Sequence, residues 1–179
     1  MKPISFLQFC LPVVVGCAAI SFGLPQASEA ASASTPAFTT STTSASGLPI
    51  PRFVGLRKDR VRARFGPSFD YPVSYEFSMK GLPLKVIGED RDNIWRRVED
   101  RDGQRMWIHR SMLSANSHAV VQAPEAILRT GPGATNAARA RLANGVFLKL
   151  ETCEAGWCRV HAGEYRGWLP ATSLWGADS

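Results

Sequence analysis

Two stretches of this 179-residue chain carry the same ordered set of residues. Arg60-Val-Arg-Ala-Arg-Phe-Gly-Pro-Ser68 recurs as Glu125-Ala-Ile-Leu-Arg-Thr-Gly-Pro-Gly133. Gly81-Leu-Pro-Leu-Lys-Val86 recurs as Gly145-Val-Phe-Leu-Lys-Leu150, and Trp95-Arg-Arg-Val98 as Trp157-Cys-Arg-Val160. The copies close on Met106-Trp-Ile-His-Arg-Ser-Met-Leu113 and Gly167-Trp-Leu-Pro-Ala-Thr-Ser-Leu174. A repeat sets the size of the folding unit, here about 55–60 residues, enough for one small β domain with its own core. Two such units in series are therefore expected, at 51–115 and 119–176.

Both copies read as short apolar runs separated by Gly, Pro, Asp and Asn. Strands are expected at Lys58–Arg64, Leu82–Glu89, Trp95–Val98, Arg105–His109 and Ser111–Leu113. In copy two they fall at Val120–Arg129, Val146–Thr152, Trp157–Val160, Gly167–Pro170 and Thr172–Leu174. Strand-sized runs at this spacing specify an all-β chain of two tandem small barrels. Ala137–Leu142 is the one helix-prone window, too short to stand without tertiary support.

Lys2 precedes an apolar run from Ile4 to Leu24, followed by the small residues Ala27-Ser-Glu-Ala-Ala31. This is the layout of a secretory signal peptide over 1–30, cleaved near Ala30. A retained membrane anchor and a lipoprotein modified at Cys17 are the alternatives. Pro12, Gly16 and Pro25 argue against the first, and an apolar run that continues past Cys17 argues against the second. Residues 31–50, rich in Ser, Thr and Ala, read as a disordered linker, with order beginning near Ile50. Loss of 1–30 removes Lys2 and Glu29 and leaves the formal charge at +6. Outside the cytoplasm that charge favours anionic polymers, head groups or acidic proteins over nucleic acid.

Two cysteines, Cys10 and Cys17, fall in the leader, leaving Cys153 and Cys158. Ala155-Gly156 reads as a tight turn, which sets Cys153 opposite Cys158 on a hairpin. Opposed residues of a non-hydrogen-bonded pair lie about 4.5 Å apart at Cα, within disulfide reach. A structural bridge is expected. A thiol nucleophile would need His161, which alternation puts on the opposite strand face from Cys158. No second ligand pair supports a metal, and no cofactor is expected.

The order (V/L)-R-x-G-P, G-x-x-(L/V)-K-(V/L), W-(C/R)-R-V and G-x-W-(I/L)-(H/P)-x-(S/T)-x-L, occurring twice, resembles the bacterial SH3-like (SH3b) domain. More narrowly, the chain resembles the tandem SH3-like proteins exported by α-proteobacteria. The resemblance spans Phe53 to Trp175. It implies partly opened barrels of five to six strands that serve as targeting or binding modules, often for cell-wall peptides, and are not enzymes by themselves.

Gly-Pro turns open long loops from Gly66 to Lys80 and from Gly131 to Asn144, where a small rigid barrel usually binds. Candidate ligand contacts are Phe69, Tyr71 and Tyr75 in the first loop and Arg139 in the second. Trp95, Trp107, Trp157 and Trp168 occupy equivalent positions and read as core packing or as groove walls. His109, His118 and His161 share no spacing and read as surface or edge residues; Trp175 is expected to cap copy two. The reading is a monomeric, exported binding or scaffolding protein for peptidoglycan peptides in the periplasm or outside the cell. It touches membrane only if the leader is retained. The alternative is a regulatory subunit that docks a periplasmic protein; catalysis by Cys158 with His161 is a third, weaker hypothesis.

Overall fold

A computed structural model describes residues 44–177. The expected signal peptide, 1–30, and residues 31–43 of the expected linker lie outside the described residues. Copy one forms β1 (Arg52–Leu56), β2 (Val61–Arg64), β3 (Val73–Phe77), β4 (Pro83–Glu89), β5 (Trp95–Glu99), β6 (Arg105–His109) and β7 (Leu113–Ala115). Copy two forms β8 (His118–Val121), β9 (Glu125–Arg129), β10 (Ala138–Ala143), β11 (Phe147–Glu154), β12 (Trp157–Ala162), β13 (Tyr165–Pro170) and β14 (Leu174–Trp175). The first sheet runs β3-β2-β6-β5-β4-β1-β7 and the second β10-β9-β13-β12-β11-β8-β14, all antiparallel. The sequence repeat is thus a topological repeat. Each unit has seven strands, more than the five or six that the resemblance implied.

Alternation along the strands explains the cores. On β2, Val61 and Ala63 are buried while Arg62 is exposed. On β5, Arg96 turns inward and Arg97 outward, so the adjacent arginines have opposite fates. Leu56, Val61, Leu84, Val86, Val98 and Ile108 belong to one core cluster. Val121, Leu128, Leu148, Val160 and Leu169 belong to another. Each repeat therefore packs its own core, and a short 3-10 turn (Arg110–Met112 or Ala171–Ser173) leads into its last strand.

Several sequence expectations need correction. The run expected as one strand, Val120–Arg129, breaks into β8 and β9 around Pro124, whose nitrogen cannot donate to a ladder. In copy one, β1 precedes the expected first strand, which starts only at Val61. The two long loops are hairpins, because β3 returns on β2 and β10 returns on β9. The helix-prone window Ala137–Leu142 lies mostly in β10, where pairing with Arg129 through Ala126 outweighs helix propensity.

Order also begins before Ile50. A turn over 44–47 is pinned by Ser46, whose backbone N and Oγ each donate to the Glu89 carboxylate at 2.7 Å. Glu89 also pairs with Arg52 at 2.7 Å and with Arg96 at 3.1 Å. Its side chain is 1% exposed, so this is a buried cluster of one carboxylate and two guanidinium groups. Arg96 further donates to the Trp95 carbonyl and Asn93 Oδ1, so its burial is matched by partners.

The two repeats close this hairpin with different chemistry. Glu89 faces Arg96 across β4 and β5, and Cys153 faces Cys158 across β11 and β12. Both hairpins shift register at the same place, between Val86 and Gly88 and between Leu150 and Thr152. The expected bridge is present, with Cα atoms 4.1 Å apart. An ion pair in barrel one holds the position that a covalent bond holds in barrel two.

The barrels also touch. Trp175 was expected to cap copy two, but it reaches barrel one. Its ring meets Phe53 edge to face at 5.0 Å, and its Nε1 donates to the Pro83 carbonyl at 3.0 Å. Lys85 lies over both rings. On β14, Leu174 is buried 3% exposed in barrel two, so alternation turns Trp175 to the other side. Arg101 donates to Asn144, and Asn116 to the Gly176 carbonyl, across the same junction.

Candidate functional site: paired grooves

The loop between β2 and β3 folds back on its own Gly-Pro turn. Arg64 ties it down by donating to the Tyr71 carbonyl, and Arg129 donates to the Asn136 carbonyl at 2.7 Å in barrel two. Each loop residue so held lays its side chain on the glycine of the Gly-Pro turn. A β-carbon at Gly66 would lie 2.6 Å from the Tyr71 ring, and one at Gly131 would lie 2.9 Å from Asn136 Oδ1. This is why both copies need Arg-x-Gly-Pro: one residue clamps the loop and the other makes room for it.

The clamped loop places Phe69 over an aromatic platform. Its ring lies 5.0 Å from Trp95 and 5.6 Å from His109, and the Arg64 guanidinium lies 5.5 Å from its centre. Trp95 is buried and meets His109 edge to face. His109 Nδ1 is fixed by Ser111 Oγ at 2.7 Å. Phe69 nevertheless remains 67% exposed. It both roofs the platform and faces solvent.

Beneath and beside Phe69 runs a groove of about 440 Å³, walled by Arg60, Arg62 and Arg64 and floored by Trp95, His109 and Met112. A second groove, about 270 Å³, lies in barrel two between Glu125, Ile127, Arg129, Ala134, Trp157 and Pro170. In repeat alignment these are the same positions: Arg60 matches Glu125, Arg62 matches Ile127, Phe69 matches Ala134, Trp95 matches Trp157 and His109 matches Pro170. The fold makes the groove twice. Barrel one lines it with three arginines, Phe69 and Trp95, whereas barrel two lines it with one arginine, one carboxylate, Trp157 and smaller apolar residues.

The expected contact residues are dispersed around this geometry. Phe69 and Trp95 share the first groove, and Trp157 lines the second. Tyr71 serves its own loop. Tyr75 points from edge strand β3 onto Phe77 at 4.7 Å and lines a separate groove with Phe65, Asp100 and Arg105. Trp107 lies half-buried on β6 between Arg64 and Arg97, and Trp168 lies half-buried on β13 between Arg129 and Arg159. Arg139, on edge strand β10, donates to the Arg166 carbonyl at 2.8 Å.

Sequence reasoning missed Arg60, Arg62 and His109. The signal was present, since arginines at alternate positions of a strand share one face. The histidines are also less idle than expected. His118 stacks on Phe147 at 4.7 Å, and burial together with Lys149 lowers its pKa. His161 pairs with Glu151, whose carboxylate is held below its ordinary range by Arg166 first and by His161. Cys158 is buried and bonded to Cys153, so no free thiol faces His161.

Among curated proteins none matches the chain. Among solved structures the chain is similar to NlpC1 of Trichomonas vaginalis at 15% identity and TM-score 0.33, covering 69% of this chain and 45% of that one. NlpC2 of the same organism follows at 14% and 0.32, covering 72% and 51%. An NlpC/P60 family protein from Bacillus cereus follows at 12% and 0.31, covering 69% and 55%. The chain spans about half the length of these structures. The profile of the bacterial SH3 domain matches twice, over 57–115 and 122–176, one match on each seven-stranded sheet. With both repeats matched and most of the chain covered, the protein belongs to the bacterial SH3 domain family.

Proposed function

We propose that the protein is an exported, non-catalytic binding module of the cell envelope, whose barrels take short cell-wall peptides in the paired grooves. The observation that carries this reading is the recurrence of one groove, beside a clamped loop and a tryptophan, at the same place in both barrels. A groove of a few hundred Å³ with an aromatic floor and a few polar groups suits a small ligand. Family membership supports a binding role, and a disulfide supports an oxidising compartment. The apolar leader and the tandem arrangement agree with the exported tandem SH3-like proteins that the sequence resembles.

The test is retention of the protein, without residues 1–30, on purified peptidoglycan sacculi at low and high salt. Retention should fall several-fold in Phe69→Ala at low salt. Loss of all retention in salt, together with unchanged low-salt retention of Phe69→Ala, would reduce the interaction to the +6 charge and refute a groove. The docking-subunit reading is favoured by one observation, the exposed Val73 and Tyr75 on edge strand β3. Capture of a single periplasmic protein, lost in Tyr75→Ala and unaffected by Phe69→Ala, would select that reading.

A further inference from the structure

The two grooves share a position but not a charge. Arg64 and Arg129 are equivalent and both are occupied in holding a loop carbonyl. Arg60 and Arg62 have no cationic counterparts, since Glu125 and Ile127 stand in their places. Their charge is therefore a property of barrel one and not a requirement of the fold.

Both face the same carboxylate. Arg60 Nε lies 3.1 Å from Glu76 Oε1, and Arg62 Nε lies 3.0 Å from Glu76 Oε2. Neither terminal amino group of Arg60 or Arg62 donates a hydrogen bond to another described residue. Two guanidinium groups thus share one counter-ion, with one positive charge in excess. Glu76 sits opposite Arg62 across β2 and β3 and is not part of the groove wall, which is apolar below the arginines at Phe69, Trp95 and Met112.

We propose that the groove of barrel one is a carboxylate site. It takes a short peptide by its free carboxylate, which the unused amino groups of Arg60 and Arg62 grip while the aliphatic part lies on Phe69 and Trp95. Arginine presents paired donors that match a carboxylate, and the apolar floor suits an alkyl side chain. Glu76 is the internal competitor, holding the arginines in position and weakening the site for acids. The equivalent groove of barrel two offers the same ligand no such grip, because Glu125, paired with Arg141 at 2.9 Å, stands at the place of Arg60 and Ile127 at that of Arg62. This inference rests on the reading of the grooves as peptide sites and adds the ligand's chemistry and the barrel that binds it.

The experiment titrates the isotope-labelled protein, as processed by the cell, with N-acetyl-alanyl-alanine, its C-terminal amide and inorganic phosphate. Resonances of the Trp95 indole and the arginine Nε–H groups are followed. The acid should shift those of barrel one saturably, and the amide and phosphate should not. Arg62→Gln, a change on a 63% exposed side chain, should weaken the acid about tenfold, the scale of one charged hydrogen bond. Glu76→Gln should tighten it. Equal shifts by acid and amide, shifts confined to barrel two, or phosphate matching the acid would each overturn the proposal. Sacculus retention without carboxylate discrimination leaves the wall-binding reading standing and removes this one. Carboxylate binding without sacculus retention does the reverse.

Discussion

Glu89→Gln tests whether barrel one is held together by its buried ion cluster. Burial alone would raise the Glu89 pKa, but donation from Arg52 and Ser46 more than reverses it and lowers it from 4.5 to about 2. A depressed carboxylate contributes stability that is complete above its unfolded pKa and is lost as pH falls through the folded one. The shift of about 2.5 units corresponds to about 3 kcal/mol at neutral pH, falling to about 1 kcal/mol near pH 3. Removing the charge also strands Arg52 and Arg96 in a buried site, which typically costs about 3–5 kcal/mol. The two routes agree. For a unit of this size, 3 kcal/mol lowers Tm by about 12–24 °C. Hydrogen exchange separates the barrels: in Glu89→Gln at pH 7, amides of Val86, Val98 and Ile108 should lose protection, and those of Leu148, Val160 and Leu169 should keep most of theirs. Urea unfolding at pH 7 and pH 3 then measures the gap between variant and native protein. A gap below 1 kcal/mol at pH 7, or one unchanged at pH 3, would refute the assignment of stability to this carboxylate.

The equivalent position in barrel two has the opposite sensitivity. Cys153→Ser with Cys158→Ser, or reduction, should destabilise barrel two by about 2 kcal/mol and leave barrel-one exchange unchanged, since the bridge closes only a short loop. Iodoacetamide should label neither cysteine in the native, unreduced protein, as mass spectrometry of the peptide would show. Trp175→Ala removes the edge-to-face contact with Phe53 and the bond to the Pro83 carbonyl. It should cost about 2 kcal/mol, read by calorimetry as a lower Tm.

The repeat made the number, order and cores of the barrels legible, because a doubled pattern excludes a single large fold. The Cys153–Cys158 pairing followed from a two-residue turn, and Ala155 and Gly156 do adopt positive φ there. Edge strands were less legible. β3 and β10 pair on one side only, so their residues need not alternate cleanly, and Val73 to Phe77 reads as loop. The groove was half legible: Phe69 and Trp95 stand out as aromatics, whereas Arg60 and Arg62 pass for a solvated strand face until β3 brings Glu76 beside them. Trp175 was misread because its partner, Phe53, lies in the other repeat, and no local pattern reports a contact across that distance.

That contact also sets an order of events as the chain is delivered. Whether it emerges from a ribosome or from an export channel, the chain appears N-terminus first, so barrel one has every strand once Ala115 is out. Trp175 belongs to the last strand of barrel two. Until it arrives, Phe53 and Pro83 of a finished barrel stand without their cover. The last tryptophan therefore acts as a completion mark: a chain cut short before it has two sheets but an open seam, a surface that quality-control proteases and a neighbouring chain's own Trp175 can reach.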